Sequence, residues 1–182
     1  MENPLDIFDD IPDIDKKPSK FKKIFMFIVS LILILLLLSY LLTNPNILHR
    51  VVGLFESSTI EDNTISINET NFLFFQDTTY QELIDYYDKN KEKEFKVCLR
   101  GNIDQGNYII DEIYKTEIIS QTYTQVVSKP CPQDTLVALH SHPFRSCLAS
   151  DQDLSNLEQS KINQPWLIMA IMCEKQRFNF YF

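Results

Sequence analysis

The longest apolar run in the chain extends from Ile24 to Leu42 and contains no charged residue. An α-helix rises about 1.5 Å per residue, so this run is about long enough to cross the hydrocarbon core of a bilayer. A cleaved signal peptide is the competing interpretation, but its apolar core is usually shorter, and no small-residue cleavage motif follows the run. The pattern therefore predicts one transmembrane helix over residues 24–43.

The residues on either side of this helix predict its orientation. Residues 1–23 are polar, contain three prolines and carry no helical or strand period, so we expect a disordered tail. Five lysines lie within residues 16–23, whereas the first basic residue after the helix is Arg50. The positive-inside rule then places the tail in the cytoplasm and the C-terminal domain outside it.

A connector and a globular domain follow the predicted helix. Residues 44–60 contain apolar positions that give a weak amphipathic turn, which would lie on the membrane surface or continue the anchor helix. Residues 61–182 form a domain of about 120 residues, which is enough for one hydrophobic core.

Apolar stretches in this domain have the lengths and periods of strands and helices. Strands are predicted at residues 71–75, 95–101, 108–114, 118–127, 135–139, 166–172 and 177–182, and helices at 80–87 and 150–161. Strands and helices in mixed order predict an α/β (α+β) layered domain.

Composition excludes several classes of function. The chain has 25 acidic and 17 basic residues and a net charge of −8, which argues against a nucleic-acid partner. Three glycines are too few to build a phosphate-cradling loop, so nucleotide binding is not expected either.

The four cysteines include no Cys-x-x-Cys pair, so a structural zinc site built from cysteines is not expected. Cys98 and Cys173 lie in apolar runs, which favours small core residues. Cys131 and Cys147 flank the strand at 135–139 and would pair in an oxidising compartment. Four cysteines allow three sets of pairings, and the sequence does not choose among them.

Two of the three histidines in the chain stand at the end of that strand, at His140 and His142. Side chains two apart in a strand lie on the same face, so both imidazoles would point the same way, while Ser141 would point to the other face. Asp153 supplies a third ligand. Two imidazoles and a carboxylate suit zinc and leave one tetrahedral position open, as in catalytic sites.

Each part of this pattern also has a purely structural interpretation. A serine N-cap such as Ser150, followed three residues later by an acidic residue, stabilises a helix start by itself. A single histidine at a strand end is usually a hydrogen-bonded core residue. The coincidence of all four residues favours metal binding, because a helix N-terminus that faces a strand end gathers them in one crevice.

The pattern His140-Ser141-His142-Pro143-x6-Ser150-x2-Asp153 resembles the signature of the JAMM (MPN+) zinc metalloproteases. That family also has a glutamate ahead of an apolar run that ends in glycine, and the segment from Glu94 to Gly101 is similar to it. The resemblance covers about residues 70–182. It implies an MPN-type mixed β-sheet flanked by helices.

The resemblance also implies a role for each site residue. His140, His142 and Asp153 would bind one Zn²⁺ ion. Glu94 would activate the zinc-bound water as general base and return the proton to the leaving amine, although Glu92, Glu112 and Glu117 are competing candidates. Ser150 would donate a hydrogen bond to the oxyanion, a contribution of about 3 kcal/mol in typical cases.

Three functions are consistent with this pattern. The first is a membrane-anchored zinc metallopeptidase that hydrolyses a peptide or isopeptide bond, with a ubiquitin-like conjugate among its possible substrates. The second is a non-catalytic MPN scaffold that binds partners. The third is a zinc amidohydrolase that acts on a non-protein or cell-wall peptide substrate. The predicted external domain conflicts with a ubiquitin-like substrate, because such modifiers are attached inside cells.

Overall fold

A computed structural model describes residues 19–142 and 146–182 of the chain. Most of the tail predicted at 1–23 lies outside the described residues, as does Pro143 of the histidine motif. The chain divides into two compact units, Met1–Pro45 and Asn46–Phe182.

Among its described residues, the first unit contains one long helix, α1, which spans Lys20–Thr43. It begins four residues before the predicted membrane segment, because Ser19 caps it by accepting a hydrogen bond from the Lys22 backbone N–H at 3.4 Å. None of its residues is buried, and its mean hydropathy reaches 3.0. The helix is therefore long and apolar enough to span a membrane.

The second unit contains three helices and ten strands among its described residues. The helices are α2 (Pro45–Glu56), α3 (Thr79–Lys89) and α4 (Asp151–Lys161). The strands are β1 (Ser58–Glu61), β2 (Thr64–Ser66), β3 (Phe72–Phe75), β4 (Lys96–Asp104), β5 (Asn107–Lys115), β6 (Ile118–Gln121), β7 (Val126–Ser128), β8 (Thr135–Ser141), β9 (Ile168–Glu174) and β10 (Arg177–Tyr181). Both predicted helices are confirmed. The predicted strands are confirmed too, except that residues 118–127 form a two-stranded hairpin, β6–β7.

Eight of the strands close into a barrel in the order β1-β10-β9-β8-β4-β5-β3-β2. The expectation of an α/β (α+β) layered domain is therefore wrong, and so is that of an MPN-type mixed sheet flanked by helices. The barrel closes because β1 pairs with β10 on one side, at Ser58 opposite Phe178, and with β2 on the other, at Ile60 opposite Ile65. Without this strand the sheet would have two free edges.

A tight hairpin makes this closure possible. Asp62 and Asn63 lie between β1 and β2 and have φ angles of 48° and 61°. Positive φ at both central residues is the geometry of a type I′ turn, which Asn and Asp tolerate better than other residues with side chains. Residues 44–60, predicted as a connector, thus contain α2 and most of β1.

The strands of the barrel have an inner and an outer face. Val97, Leu99, Val137 and Leu139 belong to the main core cluster with Phe178. The residues that alternate with them face the other way, and there α4 places Leu157 against Met169 and Ile171. His140 shares this outer face with Ala138. The predicted metal site therefore lies outside the barrel, beside the start of α4.

Two disulfides tie neighbouring strands and loops together. They join Cys98 to Cys131 and Cys147 to Cys173, with Cα–Cα distances of 5.7 and 5.1 Å. The expected pair of Cys131 with Cys147 is wrong. Cys98 and Cys173 are buried in the core as expected, but each of them forms a disulfide. The reason is topological. Strand β8 lies between β4 and β9, so the loop before it reaches β4 and the loop after it reaches the end of β9.

Candidate metal centre

The two histidines lie at the end of β8, between β4 and β9. His140 is paired with Lys96 on β4 and with Ile171 on β9. The backbone N–H of His142 donates to the Met172 carbonyl at 3.1 Å, which continues the ladder past the last residue of the strand. The ring centroids of His140 and His142 are 5.1 Å apart. The predicted common direction of the two imidazoles is confirmed.

The third candidate ligand comes from the first turn of α4. Ser150 and Asp153 form a capping box, in which the serine hydroxyl accepts from the Asp153 N–H and the Asp153 Oδ2 accepts from the Ser150 N–H. The hydroxyl of Ser150 also donates to Asp153 Oδ2 at 2.6 Å. Ser150 and Asp153 thus stabilise the start of α4, as the purely structural interpretation of this pair predicted. The same contacts fix the direction of the Asp153 carboxylate.

The three side chains converge. Oδ1 of Asp153 lies 3.3 Å from Nε2 of His140, and Oδ2 lies 3.8 Å from Nε2 of His142. One ligand atom from each residue can be chosen so that all three lie within 4.8 Å of one another. This group can hold a metal ion.

Two details of hydrogen bonding fit a metal. Nε2 of His140 is buried and has no hydrogen-bond partner among the described residues, although a buried polar atom normally has one. Nδ1 of His142 lies 2.9 Å from the Ser146 carbonyl oxygen. A bond from Nδ1 to a carbonyl is the usual way in which a protein orients a histidine so that Nε2 faces a metal.

The carboxylate of Glu94, in the segment before β4, lies beside the His140–His142–Asp153 group. Its Oε1 lies 3.9 Å from His142 Nε2, and its side chain is 12% exposed. Among the competing glutamates, Glu112 pairs with Arg100 and Glu117 pairs with Lys129 at the surface. The structure thus places all five predicted residues around one point.

The backbone around Glu94 is held on both sides. Its N–H donates to the Thr122 carbonyl at 3.0 Å, and its carbonyl accepts from the side-chain amide of Gln121 at 2.8 Å. The next residue, Phe95, exchanges two hydrogen bonds with Ser141 between the histidines. The β6–β7 hairpin and β8 therefore fix the position of the glutamate relative to the histidines.

Burial and neighbouring charges shift the pKa values of these groups. Burial, helped by the charge of Asp153, raises the pKa of Glu94 from 4.5 to about 7. Burial, together with the charge of His140, lowers the pKa of His142 to about 4, so its imidazole is neutral at pH 7. Burial alone would raise the pKa of Asp153, but the nearby His140 imidazole and the hydrogen bonds from Ser150 outweigh it and hold this pKa well below its usual range. A neutral imidazole and an ionised carboxylate are the forms that bind metals.

Two residues of β10 support the loop between the histidines and α4, and the sequence interpretation did not single them out. The hydroxyl of Tyr181 accepts from the Ala149 N–H at 2.8 Å, and the side-chain amide of Asn179 donates to the Cys147 carbonyl at 2.9 Å. The alternation of residues 177–182 puts both side chains on the face opposite Phe178 and Phe180. The alternation of polar and apolar residues was the sequence signal that could have identified Asn179 and Tyr181.

Lys96 was also missed. It lies directly opposite His140 in the β4–β8 ladder, and directly opposite residues of an antiparallel pair point to the same face. Burial lowers the pKa of its amine, and the charge of Asp153 acts in the other direction. The metal-ligating side of β8 therefore has a partly buried cation beside it.

The chain matches no protein-family model, and no curated protein is similar enough to it to serve as a relative.

Proposed function

We propose that this chain is a membrane-anchored, zinc-dependent hydrolase of peptide or isopeptide bonds. The observation that carries the proposal is the position of the Glu94 carboxylate, 3.9 Å from Nε2 of His142 and beside the His140–His142–Asp153 group. A metal-binding group alone fits many roles. A buried carboxylate with a pKa of about 7 next to it is what proton transfer in hydrolysis requires.

Zn²⁺ suits the donor set. Two imidazole nitrogens and one carboxylate oxygen are ligands typical of catalytic zinc, which retains an open position for water or substrate. When bound, the metal would lower the pKa of water and polarise the scissile carbonyl group.

The protein side chains have distinct tasks in this proposal. Glu94 takes a proton from the attacking water and delivers it to the leaving amine, and its pKa of about 7 allows both steps near neutral pH. Ser150, at the N-terminus of α4, donates its hydroxyl proton to the developing oxyanion after releasing Asp153 Oδ2. The partial positive charge of the helix terminus acts in the same direction.

The resemblance to the JAMM metalloproteases supports this assignment at the level of the site. The spacing from His140 to Asp153 and the position of Glu94 agree with that family's motif. Hydrolysis of an isopeptide bond to a ubiquitin-like modifier is accordingly one candidate reaction, and hydrolysis of a main-chain peptide bond is the other.

The disulfides favour a substrate outside the cytoplasm. Disulfides form and persist in oxidising compartments, and this domain has two. The five lysines within residues 16–23 independently favour an external C-terminal domain. An extracytoplasmic peptide, or a cell-wall peptide, is therefore a better candidate substrate than an intracellular ubiquitin-like conjugate.

Metal analysis of matched variants tests the proposal. The full chain would be purified in detergent and its zinc measured in the wild type, in Asp153→Asn and in Asp151→Asn, which removes the same charge from the same helical turn. We expect one zinc per chain in the wild type and in Asp151→Asn, and a large loss in Asp153→Asn. Hydrolysis of a peptide library should stop after chelation and return when Zn²⁺ is added. Equal zinc contents in the two variants would contradict the site.

A further inference from the structure

Helix α2 carries an apolar stripe that is exposed in the described part of the chain. The stripe consists of Leu48, Val51, Val52 and Phe55, whose spacing places them on one side of a helix. They are between 36% and 86% exposed, and Phe55 is the most exposed. Four large apolar side chains in a row on a solvent-exposed helix indicate a surface that meets another apolar phase.

The opposite side of α2 rests on the loop of the metal centre. Gly53 is buried there, and a Cβ atom at this position would lie 3.1 Å from Cys147 Cβ and 3.2 Å from the Cys147 backbone nitrogen. The guanidinium group of Arg177 holds the end of the helix by donating to the Leu54 carbonyl at 3.3 Å and to Ser57 Oγ at 3.2 Å. A side chain at position 53 would require Cys147 to shift by a few tenths of an ångström, so this side of α2 packs closely on the loop. The stripe must therefore face away from the barrel.

The connection to α1 identifies what the stripe meets. Asn44 is the only residue between Thr43, which ends α1, and Pro45, which begins α2. Because α1 is apolar enough to span a bilayer, α2 begins within two residues of the end of a candidate membrane span. An amphipathic helix in that position can bury its apolar side at the boundary between headgroups and acyl chains.

We propose that α2 is an interfacial helix whose stripe inserts into the lipid surface, and that its contact at Gly53 holds the metal centre against the membrane. The loop that follows β8 connects the Gly53 contact to the metal centre. It contains Ser146, which orients His142, and Cys147, on which Gly53 rests, and it leads into the helix that begins after Ser150. The substrate would then be a peptide segment close to the membrane surface. The inference rests on the membrane anchor of the proposed function.

Tryptophan fluorescence in vesicles tests the lipid contact. The full chain would be reconstituted in phosphatidylcholine vesicles with and without brominated acyl chains, as wild type, Phe55→Trp and Ile119→Trp. Ile119 is 66% exposed on the β6–β7 hairpin and serves as the matched control, and the wild type gives the signal of Trp166. We expect brominated lipid to remove most of the fluorescence that Phe55→Trp adds, and none of that added by Ile119→Trp.

Two other outcomes of the vesicle experiment would contradict the proposal, one by excluding the lipid contact of Phe55 and one by excluding the membrane anchor. Added Trp fluorescence that is blue-shifted but not quenched would show that Phe55 contacts protein, such as a second copy of the chain, and would overturn the lipid assignment. A chain that does not float with the vesicles would overturn the anchor and this inference together. Neither readout depends on metal or hydrolysis, so the failure of those parts of the proposed function is seen separately.

Hydrogen exchange tests the contact at Gly53. The amides of the loop around Ala149 would be followed in the wild type, Gly53→Ala, Gly53→Leu and Val52→Leu, again in vesicles. We expect exchange to become faster with the size of the residue at position 53, because a side chain there displaces Cys147. Val52→Leu enlarges the exposed stripe instead and should leave the loop unchanged. If the loop amides exchange at the same rate in the wild type, Gly53→Ala and Gly53→Leu, α2 does not support the site.

Discussion

Ser141 and Phe95 exchange two hydrogen bonds across the boundary between β8 and the segment before β4. The Ser141 N–H donates to the Phe95 carbonyl at 2.9 Å, and the Phe95 N–H donates to the Ser141 hydroxyl oxygen at 3.0 Å. Ser141 lies between the two histidines, and Phe95 follows Glu94. This buried pair therefore connects the metal-ligating strand to the proposed general base.

Replacing Ser141 with alanine should weaken both stability and catalysis. The Phe95 N–H would be left unpaired in a buried position, which costs about 1–3 kcal/mol of the free energy of unfolding. Because the segment that carries Glu94 loses one of the contacts that position it, kcat should fall while the zinc content stays near one per chain. Urea denaturation and steady-state kinetics measure the two effects. Ser128→Ala, which removes a partly exposed hydroxyl that donates to the neighbouring Lys129 carbonyl, is the control and should change neither.

Tyr181→Phe should lower metal affinity without removing a ligand. The hydroxyl of Tyr181 accepts from the Ala149 N–H and donates to the Cys147 carbonyl at 3.3 Å, so its loss loosens the loop that leads to Asp153. Loss of such outer-shell support typically weakens metal binding by about 10–100-fold. Competition with a fluorescent zinc chelator gives the affinity. Tyr114→Phe, at a 40% exposed position on β5, should bind zinc like the wild type.

The sequence contained the local elements of the site but not the closure of the barrel. Alternation and apolar runs located β8 and the start of α4, and so brought His140, His142 and Asp153 together. Strands β1 and β2 have four and three residues, which is too short for a period to stand out from chance. Their only signal was the pair Asp62-Asn63, which is typical of a hairpin turn.

The disulfide pairing could not be predicted for a related reason. It depends on which strands are neighbours in the barrel, and β8 lies between β4 and β9 although three strands separate β4 from β8 along the chain. Gly101 is a different case. The resemblance selected it as part of a motif, and the structure gives a physical reason, since a Cβ there would lie 1.9 Å from the Ile109 carbonyl oxygen. The glycine in the sequence motif is thus explained by a contact with the neighbouring strand, which the sequence alone does not show.

The metal-free protein should show two opposing dependences of stability on pH. The folded-state pKa of Glu94, about 7, lies above its ordinary value of 4.5, so its contribution to stability is lost as the pH rises between these values. The folded-state pKa of His142, about 4, lies below its ordinary value of 6.5, so its contribution is lost as the pH falls between these values. Each effect is on the order of 3 kcal/mol at most. In the wild type they largely cancel.

Single substitutions would separate these two contributions. With the metal chelated, Glu94→Gln should lose stability as the pH is lowered from 6.5 toward 4, and His142→Gln should gain stability as the pH is lowered from 7 toward 4.5. Urea denaturation at several pH values measures both. Parallel profiles for the two variants would contradict the assigned pKa shifts.

Peptide mapping without reduction should recover the cross-links Cys98–Cys131 and Cys147–Cys173. Removal of a native disulfide typically costs about 2–5 kcal/mol, so Cys147→Ser with Cys173→Ser should unfold at a lower temperature than the wild type. A cross-link between Cys131 and Cys147 would show that the loops on either side of β8 are arranged differently.

The substitution Glu94→Gln, measured for zinc and for hydrolysis in the same sample, tests the central claim most directly. The change keeps the shape of the side chain but removes its ability to accept a proton. We predict that zinc remains at one per chain while kcat falls by about 100-fold or more, the range typical of a lost general base. Hydrolysis at the wild-type rate would contradict the role of Glu94, and loss of zinc together with hydrolysis would show that Glu94 is needed to hold the metal.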